Sequence, residues 1–326
     1  MNLLMCSVGR RGELLKDFRQ TMGTEGRIVA TDNSPYAPAL YFADEQYLVP
    51  KITEPNYIDT LLDICKKEKI QAIATFIDPE IEVLAKNREV FEQLGIKVLV
   101  PSYETAGLCF NKYELFKHLK KHNIPTVQTF GTLEEAQNAI VRKELSFPVF
   151  VKPRTGSGSV GARKVESMDE LAIAMKEDES LIIQEFMGGM DLDADVYIDT
   201  ESREVVSAFS KRKISTTIGG ANKTISFKDE NLFELIKQVA GVLELYGPND
   251  MDFFYVNGQY YLSEINPRFG GAYLHAYGAG VDFVKLIEKN ISGKANDSCI
   301  GDYEEGVVMM MYDSVVIKKQ DELAKK

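Results

Sequence analysis

The segment Tyr260–Gly271, YYLSEINPRFGG, spaces a carboxylate, an amide and a guanidinium at Glu264, Asn266 and Arg268. Residues two apart on a strand share a face. Glu264 and Asn266 therefore present two oxygen donors side by side, with Arg268 just beyond. This set suits a hard cation carrying nucleotide phosphates, because Mg²⁺ takes oxygen ligands and leaves its other positions to water or phosphate. Asp252 lies twelve residues upstream of Glu264, on what reads as the partner strand of a hairpin turning at Asn257-Gly258. A salt-bridged strand end is the plain alternative for Glu264 alone; the four residues together favour a metal–phosphate site. Parity constrains the arrangement. A two-residue Asn-Gly turn sets Asp252 opposite Ser263 and leaves Glu264 on the other face. Both acids serve one site only if the loop holds an odd number of residues or the strand bulges once.

A second stretch, VKPRTGSGSVGARKV (Val151–Val165), spells parts of several phosphate-binding motifs and completes none. Gly156 and Gly161 have P-loop spacing, but Ala162 and Arg163 stand where that motif needs Lys and then Ser or Thr. Gly156, Gly158 and Gly161 also read G-x-G-x-x-G, yet Ala162–Val165 has the pattern of a strand rather than the helix a dinucleotide fold requires. Lys152 precedes the glycines instead of following them. The three histidines, His118, His122 and His275, offer no Ser-His-Asp or Cys-His set. His118 and His122, four apart, read as a solvated helix face before they read as metal ligands.

These groups need elements to hold them. In the first hundred residues, strands at Leu3–Val8, Arg27–Thr31, Gln71–Thr75 and Ile96–Val100 alternate with helices, including Tyr57–Lys67 and Pro79–Leu94. That alternation implies a parallel, doubly wound sheet. Ser7-x-Gly9-x-x-Gly12 with Asp32 twenty residues on follows the dinucleotide layout with Ser in the first glycine position. A tight turn closing the domain is the plainer reading, with Arg10 and Arg11 beside a helix N-terminus able to hold an anion. Near residue 110 the pattern shifts to an amphipathic helix, Asn111–Asn123, and then to strand and helix around the glycine loop. Ser167 and Glu170 have capping-box spacing. From Leu181 on strands dominate, interrupted by a helix at Asn231–Leu245.

Composition bounds the function. The chain has 326 residues, 44% hydrophobic and 27% charged, with a net charge of −11. The acidic balance argues against nucleic-acid or anionic-membrane partners. Four scattered cysteines make neither a disulfide framework nor a zinc site, and no stretch approaches the ~18 apolar residues of a membrane span. A cytoplasmic protein is expected.

In order, Asn111-Lys112, the VKP stretch at Lys152 with its glycine loop, QEFMGG–D from Gln184 to Asp191, MDFF at Asp252 and SEINPR from Ser263 resemble the ATP-grasp superfamily. The similarity is greatest to one synthetase unit of the carbamoyl phosphate synthetase large subunit, and it spans essentially the whole chain. The resemblance implies an α/β chain: a Rossmann-like domain (1–109), then an ATP-grasp fold of two α+β lobes, a lid lobe with the glycine loop (110–187) and a C-terminal lobe with the metal site (188–326).

It also implies roles. Lys152 reaches the α/β-phosphates, Lys112 is the second phosphate lysine, and the backbone around Ser157, Gly158 and Ser159 covers the β/γ-phosphates. The linker Gln184, Glu185, Phe186 and Met187 takes adenine and Asp191 the ribose hydroxyls. Asp252, Glu264 and Asn266 hold two Mg²⁺, with Mn²⁺ as the alternative ion, and Arg268 neutralises the transferring phosphoryl group. The chain departs from the family in Asn111, usually Asp, and Asp191, usually Glu; the second shortens the reach to ribose. The segment Ser210–Lys223, SKRKISTTIGGANK, reads as a strand-to-helix connection near the γ-phosphate, with Arg212 preferred over Lys211 and Lys213 as a substrate clamp.

The resemblance implies ATP-dependent activation of a carboxylate as an acyl phosphate, which an amine or thiol attacks. The expected partners are small carboxylate and amine substrates, and a homodimer is allowed. A carbamoyl phosphate synthetase-like half-unit phosphorylating bicarbonate or carbamate with a partner, a nucleotide sensor without turnover, and an NAD-dependent oxidoreductase are the competing readings.

Overall fold

The computed structural model describes residues 1–156, 161–217 and 220–325. Five parallel strands open the chain: β1 (Asn2–Cys6), β2 (Arg27–Asp32), β3 (Glu45–Leu48), β4 (Ala72–Thr75) and β5 (Lys97–Val98), in the order β3-β2-β1-β4-β5. Strands β1 and β4 carry continuous apolar runs because helices cover both faces of a parallel sheet. The sequence reading missed β3. It is an edge strand of half-buried residues, EQYL, with no apolar run to mark it. The expected helix Pro79–Leu94 is two helices, Asp78–Lys86 and Arg88–Glu92, meeting at Asn87.

The turn after β1 is the tight one expected. The Gly9 amide donates to Asp32 Oδ2 at 3.0 Å and the Ser34 amide to Asp32 Oδ1 at 2.9 Å. Both carboxylate oxygens of Asp32 thus close the turn instead of facing a ribose.

The lid lobe is an antiparallel sheet of β6 (Thr129–Phe130), β7 (Val149–Pro153), β8 (Arg163–Val165) and β9 (Leu181–Glu185), in the order β6-β9-β7-β8. The helices Leu133–Val141 and Met168–Glu177 pack on it. Thr132 and Ser167 cap them by accepting from the Glu135 and Glu170 amides. The Glu170 carboxylate takes the Glu166 amide at 2.9 Å, one residue before the cap.

The C-terminal lobe is a six-stranded sheet of β10 (Met190–Ile198), β11 (Val205–Thr217), β12 (Gly220–Phe227), β13 (Gly247–Val256), β14 (Gln259–Asn266) and β15 (Val308–Met310). Its order is β14-β13-β10-β11-β12-β15. The expected connection Ser210–Lys223 is instead part of two long antiparallel strands, β11 and β12. Serines, threonines and lysines line one face there, which hides the apolar alternation that normally marks a strand. The helix Glu230–Ala240, capped by Asp229, lays an apolar stripe on the sheet through Leu232, Phe233, Ile236 and Val239.

One apolar core runs from the parallel sheet into the C-terminal lobe. Phe18 of the helix after β1 meets Phe269 edge-on at 5.2 Å between centroids. The lid keeps a smaller core of its own around Ala136, Val149, Val151 and Leu171. Among the described residues no helix is long and apolar enough to cross a membrane.

Candidate active site

The hairpin β13–β14 resolves the parity question. Val256 pairs with Gln259 across a two-residue turn, with Asn257 and Gly258 at φ 50° and 86° as a type I′ turn needs. Of the two routes left open, the bulge is the one used. Phe253 pairs with Leu262 and Asp252 with Glu264, so Ser263 is the extra residue. Asp252 and Glu264 are direct cross-strand partners, as are Asp250 and Asn266.

These pairs extend across the sheet. Asp193 of β10 pairs with Asp252 on one side and with Lys211 of β11 on the other. The rung Lys211–Asp193–Asp252–Glu264 therefore crosses four strands on one face. A second rung runs Asp195–Asp250–Asn266. Burying so many carboxylates costs heavily unless cations meet them. The Lys211 ammonium is fully buried against Asp193 and Asp195, and Lys213 bridges Asp252 and, at 2.9 Å, Asp191.

Two more lysines arrive from the lid side. Lys152 Nζ lies 3.6 Å from Glu264 Oε2, and Lys112 Nζ lies 3.8 Å from the same oxygen. Lys112 also donates to the Gly156 carbonyl at 2.5 Å, tying the start of the glycine loop to the helix Lys112–Lys121. Asn111 caps that helix by accepting from the Tyr113 and Glu114 amides. Asn and Asp cap about equally well, so the departure at Asn111 leaves this function intact.

Arg268 is buried and ion-paired with Asp78, which follows β4. Nε lies 2.8 Å from Oδ1, and Nη2 donates to Oδ2 at 3.1 Å. Its Nη1 donates to the Phe269 carbonyl at 3.1 Å and sits 3.7 Å from Asp250.

The buried carboxylates are short of positive charge. Burial pushes Asp252 up to about 6, even against Lys213. Burial and then Asp193 hold Asp250 well above the usual carboxylate range. A divalent cation would relieve this strain on the acids. Lys152 is instead pushed down by burial and by Lys112 next to it, against the pull of Glu264, and gains from a phosphate. Asp252, Glu264 and Asn266 fit a divalent cation: both lysines approach Glu264 through Oε2, and Asn266 uses its amide nitrogen toward Asp250, at 3.5 Å, which keeps its oxygen as a donor. Asp193, Asp195 and Asp250 form a second acidic cluster, with oxygens within 4.8 Å of one another. Lys211 already sits between Asp193 and Asp195, and Arg268 is beside Asp250, so we read this cluster as support beneath the first.

Arg212 must be corrected as the clamp. Strand alternation puts Lys211 and Lys213 on the face of the aspartates, whereas Arg212 is exposed on the other face. The two lysines set aside in the sequence reading are the ones at the site.

Gln184 and Glu185, expected in the linker, end strand β9; Gln184 is buried and its Nε2 donates to Thr129 Oγ1 at 2.8 Å. Glu185 accepts from the Gln128 amide at 2.9 Å. Phe186 is exposed, with Lys164 Nζ 4.9 Å from its ring centroid, and Met187 is half-buried. Among the described residues, no backbone hydrogen bond uses the amides of Phe186 or Met187. Gly189 lies so close to the Tyr255 carbonyl that no Cβ fits, which presses the linker onto β13. Ser157, Gly158 and Ser159 lie outside the described residues. His118 Nε2 bonds the Val242 carbonyl at 2.8 Å, so its side of the helix is docked rather than solvated.

Sequence reasoning missed Asp78, Asp193, Asp195 and Asp250, and ranked Lys211 and Lys213 below Arg212. The signal was present as period-two acids in DLDAD facing period-two lysines in KRK. Asp78 could be found only from the sheet order.

Comparison with known proteins follows this geometry. Residues 3–99 match a PylC-like N-terminal domain and residues 109–272 an ATP-grasp domain. The chain is 24% identical over 289 residues to the carbamoyl phosphate synthase large chain of Clostridium acetobutylicum, covering 82% of this chain and 26% of that one. It is 29% identical over 195 residues to the D-alanine–D-alanine ligase of Flavobacterium johnsoniae, covering 54% and 60%. The chain thus spans less than two thirds of the length of these relatives. Its fold matches N5-carboxyaminoimidazole synthetase from Staphylococcus aureus complexed with ADP, with a TM-score of 0.74 at 17% identity over 91% of this chain and 78% of that one. The biotin carboxylase domain of Hydrogenobacter thermophilus 2-oxoglutarate carboxylase, in complex with MgADP, gives 0.73 at 20% identity over 94% and 73%. With the motif order, the paired acids under two lysines and a domain match across half its length, the chain belongs to the ATP-grasp family.

Proposed function

We propose that the protein is an ATP-dependent ligase that activates a carboxylate as an acyl phosphate and passes it to an amine, with a thiol as the alternative acceptor. The observation that carries this reading is the bulged hairpin. It opposes Asp252 and Glu264 beneath Lys112 and Lys152, with Arg268 at its end. Asp252, Glu264 and Asn266 would hold Mg²⁺. Mn²⁺ accepts the same oxygen ligands. When bound, the ion neutralises phosphate charge.

The chain's own residues do the rest by positioning and charge. Lys152 and Lys112 hold the phosphates of ATP from the lid side, exchanging Glu264 for phosphate oxygens. The linker from Gln184 to Met187 offers backbone groups to the adenine edge, and Asp191 reaches toward the ribose. A carboxylate oxygen of the substrate attacks the γ-phosphorus, and the bond to the β,γ-bridging oxygen breaks with its electron pair leaving on ADP. Arg268 meets the charge on the transferring group. The amine then attacks the acyl carbon and phosphate leaves. Functionally the lobes are taken as 1–109, 110–187 and 188–326. The substrates are small molecules, and the reading assumes the cytoplasm, where ATP and Mg²⁺ are supplied.

Calorimetry with ATP, with and without Mg²⁺, tests the metal assignment. Wild type should bind ATP in a Mg²⁺-dependent manner, and Glu264→Ala should lose that dependence and all turnover while remaining folded. Normal turnover in Glu264→Ala would sink it.

A further inference from the structure

The sheet of the C-terminal lobe ends in a short strand. β15 pairs with β12 on one side, and among the described residues no strand pairs with its other edge. Beyond β15 the chain runs on to residue 319 without a turn. It is tied down at both ends: the Met311 amide donates to the Asn222 carbonyl at 2.9 Å, and the Ala324 amide to the Tyr41 hydroxyl at 3.3 Å.

This arm carries apolar side chains into water. Val308, Met310, Tyr312, Val315 and Ile317 are exposed, the last four by 67, 87, 79 and 88%. Elsewhere among the described residues, exposed large apolar side chains come singly or in pairs. An open strand edge continued by such a run is a surface made for another strand.

The charges at its ends say which strand. Glu304 and Glu305 precede the apolar run, and Lys318 and Lys319 follow it. All four are exposed, and among the described residues none makes an ion pair. An axis between Met311 and Tyr312 matches Glu304 with Lys319, Glu305 with Lys318 and Val308 with Val315. Burial is mirrored about the same axis: Val308 and Val315 are exposed, Val307 and Val316 half-buried, Gly306 and Ile317 exposed. A two-fold contact needs this arrangement, because residue i meets j and j meets i. An antiparallel second copy sets acid against base at both ends. A parallel copy sets acid on acid and base on base.

We propose that residues 304–319 form the interface of a homodimer, each arm lying antiparallel to the same segment of a second copy. The six-stranded sheets of the two copies then join edge to edge at β15. Cross-strand apolar pairs and the opposed charges hold the contact. The interface is independent of the ligase reading, since no residue of the arm belongs to the candidate active site.

Sedimentation of the full chain tests it. Wild type should dimerise reversibly. The pair Lys318→Glu and Lys319→Glu makes both ends of the arm acidic; the pair Glu304→Lys and Glu305→Lys makes both basic. Each pair should raise the dimer dissociation constant about tenfold or more, because like charges then face each other. Mixed in equal amounts, the two variants should recover a dimer with one copy of each. Ile317→Asp, at a side chain that a single copy leaves in water, should dissociate the dimer and keep the wild-type circular dichroism spectrum. A wild type that is monomeric at every concentration tested overturns the proposal. So does a dimer that the charge variants or Ile317→Asp leave unchanged, and so do charge variants that fail to associate when mixed.

Discussion

Two hairpins meet at this site and are built in opposite ways. The strands of β13–β14 are ten and eight residues long, lie in the core shared with the N-terminal domain, and carry Asp252, Glu264 and Asn266. The strands of β7–β8 are five and three residues long, rest on a separate small core, and carry Lys152 into the glycine loop. The difference is instructive. On the proposed function, the groups that would hold the cation sit in the large shared core, and the ammonium that would trade Glu264 for a phosphate sits on the smaller, separate core. The bulge at Ser263 belongs to the first kind, since it fixes the register of β14 against β13.

The largest expected effect separates the two cores. Phe269→Ala, in the shared core, should cost about 3–5 kcal/mol and lower the stability of the parallel sheet and C-terminal lobe together. Leu171→Ala, in the lid core, should leave them intact and raise hydrogen exchange within residues 129–185 alone. Uniform exchange in Leu171→Ala would merge the two regions into one. Next is Arg268→Ala, which should slow acyl phosphate formation and overall ligation by the same factor, about 10²–10³. Unequal factors in a kinetic comparison would remove Arg268 from the first step.

A smaller effect concerns the base of the fixed region. His275 is buried, bonded to Thr224 Oγ1 at 2.7 Å and to the Val307 carbonyl at 3.0 Å. Burial, and then Lys211, push it down to about 4 from an ordinary 6.5. The unfolded chain therefore takes up a proton as pH falls through 6.5, while the folded state resists until about 4. Stability present above 6.5 should be lost across that window, by about 2–3 kcal/mol. Denaturant titrations at several pH values should show a shallower slope for His275→Gln than for wild type; equal slopes would contradict the assignment.

The legibility of this molecule in its sequence followed the same division. Most of the parallel sheet was readable because β1 and β4 are apolar runs and the strands alternate with helices. The half-buried edge strand β3 left no such mark. In the site, Glu264, Asn266, Arg268, Lys152 and Lys112 were legible because motif order tied them together, and parity alone limited the hairpin to a bulge or an odd loop. Arg212 was misjudged because SKRKISTT was read as a connection; read as a strand, its alternation puts Lys211 and Lys213 inward. Asp78 pairs with Arg268 across 190 residues, a contact that local spacing cannot reveal.

The central claim is that the fixed hairpin and the lid together transfer the γ-phosphoryl group to a carboxylate. The most direct measurement is product analysis with ATP, Mg²⁺, pooled carboxylates and hydroxylamine, following nucleotides by ³¹P NMR and hydroxamate by mass. The account predicts ADP and hydroxamate in equal amounts before any amine is added. Release of AMP and pyrophosphate with the hydroxamate would contradict it, since the bond broken would then lie at the α-phosphorus rather than above Glu264 and Arg268.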